Sequence, residues 1–181
     1  MQNPESIFTA LHELGVGEFR HLNGALIDHL RGTADLLAQW QARPVLCAAG
    51  LYHAVYGTAG FNASVVDVNK RKDIAAIIGD EAEALVYLYG ATDRAVCYPR
   101  FGTSAQDLFS DRFTQLEYRL APQQLKDLCE LTVANELDIA RGSAAFRDQY
   151  GDALNDLFNR MSGLLSAPCR QAYASVLGGK A

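Results

Sequence analysis

The chain has no C-x-x-C pair, no excess of positive charge and no uninterrupted apolar run near the length of a membrane span. Its four cysteines, Cys47, Cys97, Cys129 and Cys169, are dispersed along 181 residues. That dispersal argues against a zinc ribbon and against a disulfide framework, so they are read as reduced thiols, with Cys47 and Cys129 in core positions. A net charge of -5 with pI near 5.3 supplies no general attraction to phosphate backbones or anionic lipid, so neither nucleic acid nor a membrane is expected as partner. A membrane helix needs about 18 or more consecutive apolar residues, and none is found. The opening "MQNPESIFTALHELG" lacks the basic and apolar regions of a signal peptide, which makes the cytoplasm the expected compartment. There is also no glycine-rich phosphate loop, no nucleophile elbow and no basic-aromatic stripe.

What is present is an ordinary globular composition, 49% hydrophobic and 20% charged, sufficient for one core. Residues 1–181 are read as a single domain. Pro4 and Glu5 open a helical pattern that Gly15 and Gly17 end. A second pattern runs from about Asn23, a candidate N-cap, to Gln41, with Leu26, Ile27, Leu30, Ala34, Leu37 and Trp40 at helical spacing. Pro44 suits the first turn of a third helix, broken by "YGTAGFNAS". "KRKDIAAIIG" and "DEAEALVYLYG" read as two helices, each closed by a glycine, with Asp80 as N-cap of the second. Residues 91–110 read as a long loop marked by Pro99, Gly102 and Thr103. Pro122 opens a strong helix that Gly142 ends, and helices at about 144–163 and 167–177 complete an all-α fold without strands.

Of the four histidines, three lie between residues 21 and 53. His29 falls in the first turns of one expected helix and His53 in the last turn of the next. About 15 residues up and about 10 back, at about 1.5 Å each, nearly cancel across a short turn, so an antiparallel pair brings the two rings to one end. Such a pair either makes ordinary hydrogen bonds or shares a metal, and a metal requires a third ligand.

The stretch "CAAGLYHAV", with His29 at its spacing upstream, resembles the HD superfamily of metal-dependent enzymes, above all the stringent-response alarmone hydrolases. "LTVANELD" is similar to the superfamily's last motif, and "GDEAEALVYLYGATD" to the helix between them. The resemblance runs from about Arg20 to Asp138 and implies an HD-like helical core over 20–138, with the helices of 144–177 packed on it. Two positions depart from the pattern: Ala54 stands where the family has the Asp of His-Asp, and Asn135 where it has the final Asp. Carboxylates at those positions hold hard or paired cations, so the resemblance implies one divalent transition metal (Fe, Zn or Mn) on His29, His53 and Asn135. His21 is either a third imidazole ligand or a loop residue touching solvent or substrate.

Charged residues at the expected mouth complete the candidate set. Arg20 matches a basic position of the family pattern, and Arg71 follows the "YGTAGFNAS" loop; either could clamp an anionic small-molecule substrate or remain a solvated surface charge. Asp93 and Glu136 are candidate acids, Asp93 as general base or as partner of Arg94, while Glu83 could replace a missing carboxylate. Asp28, one residue before His29, suits a role in orienting it or in meeting the helix dipole. Three functions follow as alternatives: a mononuclear metal-dependent hydrolase, a non-heme iron oxygenase, and a metal-free protein that binds a small molecule or a partner. A homo-oligomer is left open.

Overall fold

The computed structural model describes residues 4–14, 20–21, 24–60 and 64–178, with backbone alone at Pro4, His12, Arg20, His21, Gly24 and Ala25. The described residues form nine α-helices with two short antiparallel ladders, a mostly α fold. The expected N-cap Asn23 and the expected terminators Gly15 and Gly17 lie outside the described residues. Helix α1 is Pro4–Glu13. A two-residue ladder pairs β1 (Arg20–His21) with β2 (Gly24–Ala25) and leads into α2, Leu26–Gln39.

Helix α2 is amphipathic, burying Leu26, His29, Leu30, Thr33, Leu36 and Leu37. A tight turn at Gln41, φ 59°, closed by Ala42 N–H to the Leu37 carbonyl at 3.0 Å, reverses the chain into α3, Pro44–Tyr52, with Pro44 in its first turn. The two helices approach closely at Gly50, where a Cβ would stand 2.6 Å from Leu37 Cδ1.

Helices α4 (Arg71–Ile78) and α5 (Asp80–Ala91) follow. Two expectations need correction here. Gly79, with φ 87°, holds the N-cap position of α5, so Asp80 is its first helical residue. Gly90 lies inside α5 and does not end it: its missing Cβ leaves room for the Gly57 carbonyl, which a Cβ would meet at 3.1 Å.

The expected loop over 91–110 is replaced by α6, Arg94–Arg100, capped by Asp93 and carrying Pro99 within it. A β-hairpin then pairs β3 (Leu108–Asp111) with β4 (Leu116–Arg119), where no strand was expected. Its turn is organised by the Asp111 carboxylate, which accepts the N–H groups of Phe113 and Thr114. Arg112 docks the hairpin on the end of α5, donating from its backbone to the Ala91 carbonyl and from Nε to that of Gly90. Every residue of β4 is exposed, so the strand carries no buried-face alternation to announce it.

Helix α7, Pro122–Gly142, is the axis of the molecule. It packs against α2, α3, α5, α8 (Ala144–Arg160) and α9 (Ala167–Leu177), and one hydrophobic cluster runs through all of them. Residues 127 to 137 of α7 are buried without interruption, including Asp127, Glu130, Asn135 and Glu136. Buried polar groups on this scale must be paired, and their partners define the site.

Candidate functional site

His29 and His53 meet where the α2–α3 turn geometry places them. Their ring centroids are 5.2 Å apart and the planes nearly perpendicular, with relative exposures of 6% and 1%. His53, the C-cap of α3, engages the Gly50 carbonyl through Nδ1 at 2.7 Å. That bond requires a proton on Nδ1 and leaves Nε2 as the basic nitrogen of the neutral ring. On its other side His53 packs edge-on to Tyr89 at 5.2 Å.

The His29 ring spans two oxygens of α7. Nδ1 lies 2.6 Å from Asp138 Oδ2, and Nε2 lies 3.0 Å from Asn135 Oδ1. Asn135 and Asp138, three residues apart, share the face of α7 turned to α2. Gly32, one turn beyond His29, is what admits the carboxylate: a Cβ there would stand 2.0 Å from Asp138 Oδ1.

The polar chain continues behind Asn135. Its Nδ2 donates to Glu136 Oε1 at 3.1 Å, and the same oxygen accepts from an Arg94 terminal nitrogen at 3.0 Å. A second terminal nitrogen of Arg94 donates to the Tyr89 hydroxyl, also at 3.0 Å. His29, Asn135, Glu136, Arg94, Tyr89 and His53 therefore form a closed circuit linking α2, α3, α5, α6 and α7. Burial holds the Tyr89 hydroxyl protonated, its pKa raised well above the ordinary value.

The remaining candidates lie in other surroundings. The Arg71 guanidinium is bidentate to Glu83, 2.7 Å for each bond, and stacks on Tyr87 at 3.9 Å. Glu83 also accepts from Tyr56 at 3.0 Å, so both side chains are engaged with each other. Asp93 caps α6 through the Ala95 N–H. Asp28 is exposed in the first turn of α2, a dipole position, and the residue that orients His29 is Asp138. The side chains of Arg20 and His21 lie outside the described residues. Ala54 is buried, 3% exposed. Cys97, Cys129 and Cys169 are buried, whereas Cys47 is only half-buried.

Sequence reasoning missed Asp138, Gly32 and the part played by Arg94. Asp138 had a local signal, the three-residue spacing from Asn135 on one helix; Arg94 had none, since its partners come from α5 and α7.

Among the described residues no group of three or more His, Cys, Asp or Glu side chains is arranged to hold a metal, and the group facing His29 Nε2 is the neutral Asn135 amide. The donor chemistry nevertheless fits a cation. Asp138 accepts a hydrogen bond from His29 Nδ1–H, so the neutral ring turns its Nε2 lone pair toward Asn135 Oδ1, whereas the imidazolium donates there. The amide cannot be reversed without setting its oxygen against the Glu136 carboxylate. Two acceptors facing each other at 3.0 Å are held by a shared cation or by a proton on Nε2. Ligands about 2.0–2.1 Å from one metal stand about 3 Å apart when adjacent, so the separation suits both. Each histidine also has the outer partner common among metal-bound imidazoles, a carboxylate for His29 and a backbone carbonyl for His53.

Fold and site together define a mostly helical protein with a buried imidazole–amide–carboxylate centre. A family model described as a domain of unknown function (DUF6817) matches residues 10–94, a little under half of the chain. The match takes in both histidines and stops before α7, so Asn135, Glu136 and Asp138 lie beyond it. No curated protein and no solved structure matches the chain.

Proposed function

We propose that this chain is an HD-like protein in which His29, His53 and Asn135 hold one divalent transition metal, and that it hydrolyses a small anionic substrate. The observation that carries the reading is the approach of His29 Nε2 to Asn135 Oδ1 at 3.0 Å, a separation that suits two ligands of one cation, with each group held in orientation from behind. A metal at these donors supplies Lewis-acid activation for hydrolysis, and an all-neutral set of imidazole and amide favours Fe, Zn or Mn over Mg or Ca. Asp138 orients His29, the Gly50 carbonyl orients His53, and Tyr89 closes one side against water. Asp138 is 25% exposed, against 6% for His29.

Elemental mass spectrometry of the purified, untagged protein beside its His53→Ala variant tests this. Near-stoichiometric metal that disappears in the variant is the expected result; equal content in both, or none after reconstitution, overturns it. Iron, with oxygen consumed during turnover, would favour the oxygenase alternative over hydrolysis.

A second reading, a metal-free binding protein, is favoured by a groove of about 1140 Å³ between α1, α2, α3 and α4. Phe8, Ala34, Val45, Leu51 and Ile78 line it, with Arg31 stacked on Phe8 at 3.8 Å. Stoichiometric binding of an anilinonaphthalene sulfonate dye to chelator-treated protein, unchanged in His53→Ala, is its expected signature.

A further inference from the structure

A carboxylate presents oxygen whichever way it turns; an amide presents oxygen one way only, and the alternative orientation offers N–H. With Asn135 where the family resemblance places an Asp, the centre depends on something that selects the orientation. Asn135 and Glu136 are consecutive on α7 and diverge by about 100° around the helix, yet their side chains bend together to a 3.1 Å hydrogen bond. Glu136 is only 6% exposed and is held by Arg94, the first residue of α6, which is tethered in turn by Tyr89. Gly60 lies beside the guanidinium, a Cβ there standing 3.4 Å from one of its nitrogens. A carboxylate fixed in this way accepts only from the Nδ2 side of the amide.

We infer that Glu136 and Arg94 are positioning residues that lock the Asn135 amide with its oxygen toward His29, so that an amide serves where a carboxylate would need no such lock. The inference rests on the metal reading for its consequence, and on the amide geometry alone for its truth. Glu136 then acts through Asn135, and its importance falls when residue 135 has two equivalent oxygens.

Cobalt(II) titration of the full chain, followed by visible absorption, tests this in two backgrounds. In the wild-type background Glu136→Leu is expected to weaken Co²⁺ binding about tenfold or more, the usual scale for losing an outer-sphere partner. Glu136→Gln, which keeps an acceptor oxygen, should recover most of the loss. In the Asn135→Asp background, Glu136→Leu should cost clearly less Co²⁺ affinity than in the wild type, because either oxygen of the new carboxylate can face the metal and only the loss of one nearby negative charge remains. An equal loss in both backgrounds marks a merely structural role and overturns the inference, as does no loss in the first. Should Glu136→Leu fail to fold, Arg94→Met/Glu136→Leu carries the same comparison with no buried charge left unpaired. If the wild type binds no Co²⁺, the metal reading falls, and the side-chain amide protons of Asn135 in metal-free protein decide the positioning. Exchange-protected signals that become solvent-like in Glu136→Leu support it; identical signals in both proteins overturn it.

Discussion

Asp138 and Gly32 illustrate how one missing side chain makes room for a functional one. The carboxylate reaches His29 Nδ1 at 2.6 Å only because position 32 has no Cβ. Gly32→Ala is therefore expected to displace the Asp138 carboxylate and loosen the His29 ring while changing no proposed ligand. Metal affinity is expected to fall about 10–100-fold in Asp138→Ala, and by a similar factor in Gly32→Ala. Calorimetric titration with Zn²⁺ checks both; full affinity in Gly32→Ala would show that the ring keeps its orientation without the carboxylate. His29 and His53 were legible in the sequence because scarcity and helical spacing singled them out. Asp138 was only half legible, as an acid one turn beyond Asn135 with nothing to say that α2 opens a gap opposite it.

At the scale of elements, the helix ends do more than stop helices. Ser143 caps α8 by accepting the Phe146 N–H, a bond local to the helix end. Ser166 caps α9 by accepting from Cys169 and also donates to the buried Glu130 of α7 at 2.5 Å. Ser143→Ala is expected to cost about 1 kcal/mol, the ordinary value for a cap. Ser166→Ala should cost about 2–3 kcal/mol, because it also strips a donor from a buried carboxylate. Urea denaturation of the two variants separates these outcomes, and equal costs would mean that Glu130 finds another donor. Helices with apolar stripes were readable one by one, α1 to α5 and α7 to α9. The two-residue β1–β2 ladder was not, nor were α6 and the β3–β4 hairpin. The seven-residue α6 carries a proline inside it, and the hairpin exposes all of β4, including Leu116 at 62%. The hairpin is stabilised by Phe109 beneath it and by Asp111, which accepts from the Tyr87 hydroxyl at 2.8 Å, contacts between residues distant in sequence.

For the whole molecule, the number of acidic protons sealed in the core sets the response to alkali. Burial raises the pKa of the Cys97, Cys129 and Cys169 thiols and of the Tyr52, Tyr89 and Tyr98 hydroxyls. In the unfolded chain those groups ionise near their ordinary values, about 8.5 for cysteine and about 10 for tyrosine. Above those values the unfolded state binds fewer protons than the native state, so unfolding becomes easier as pH rises. The thermal midpoint is expected to hold to about pH 8 and then fall, first with the thiols and more steeply with the tyrosines. A midpoint constant to pH 11 would show that the core groups ionise as readily folded as unfolded. Among the described residues no helix is long and apolar enough to cross a membrane.

The sequence alone determined the helical periodicities, the turn between α2 and α3 and, through that turn, the meeting of His29 with His53. These are short-range consequences of spacing, of Pro44 and of the rise of a helix. Only the tertiary structure decided which oxygens face the imidazoles and which way the Asn135 amide is turned. Those features arise where five helices converge, from Glu136 held by Arg94 and from Asp138 admitted by Gly32. A side chain's orientation depends on every group packed around it, and no single stretch of sequence contains them all.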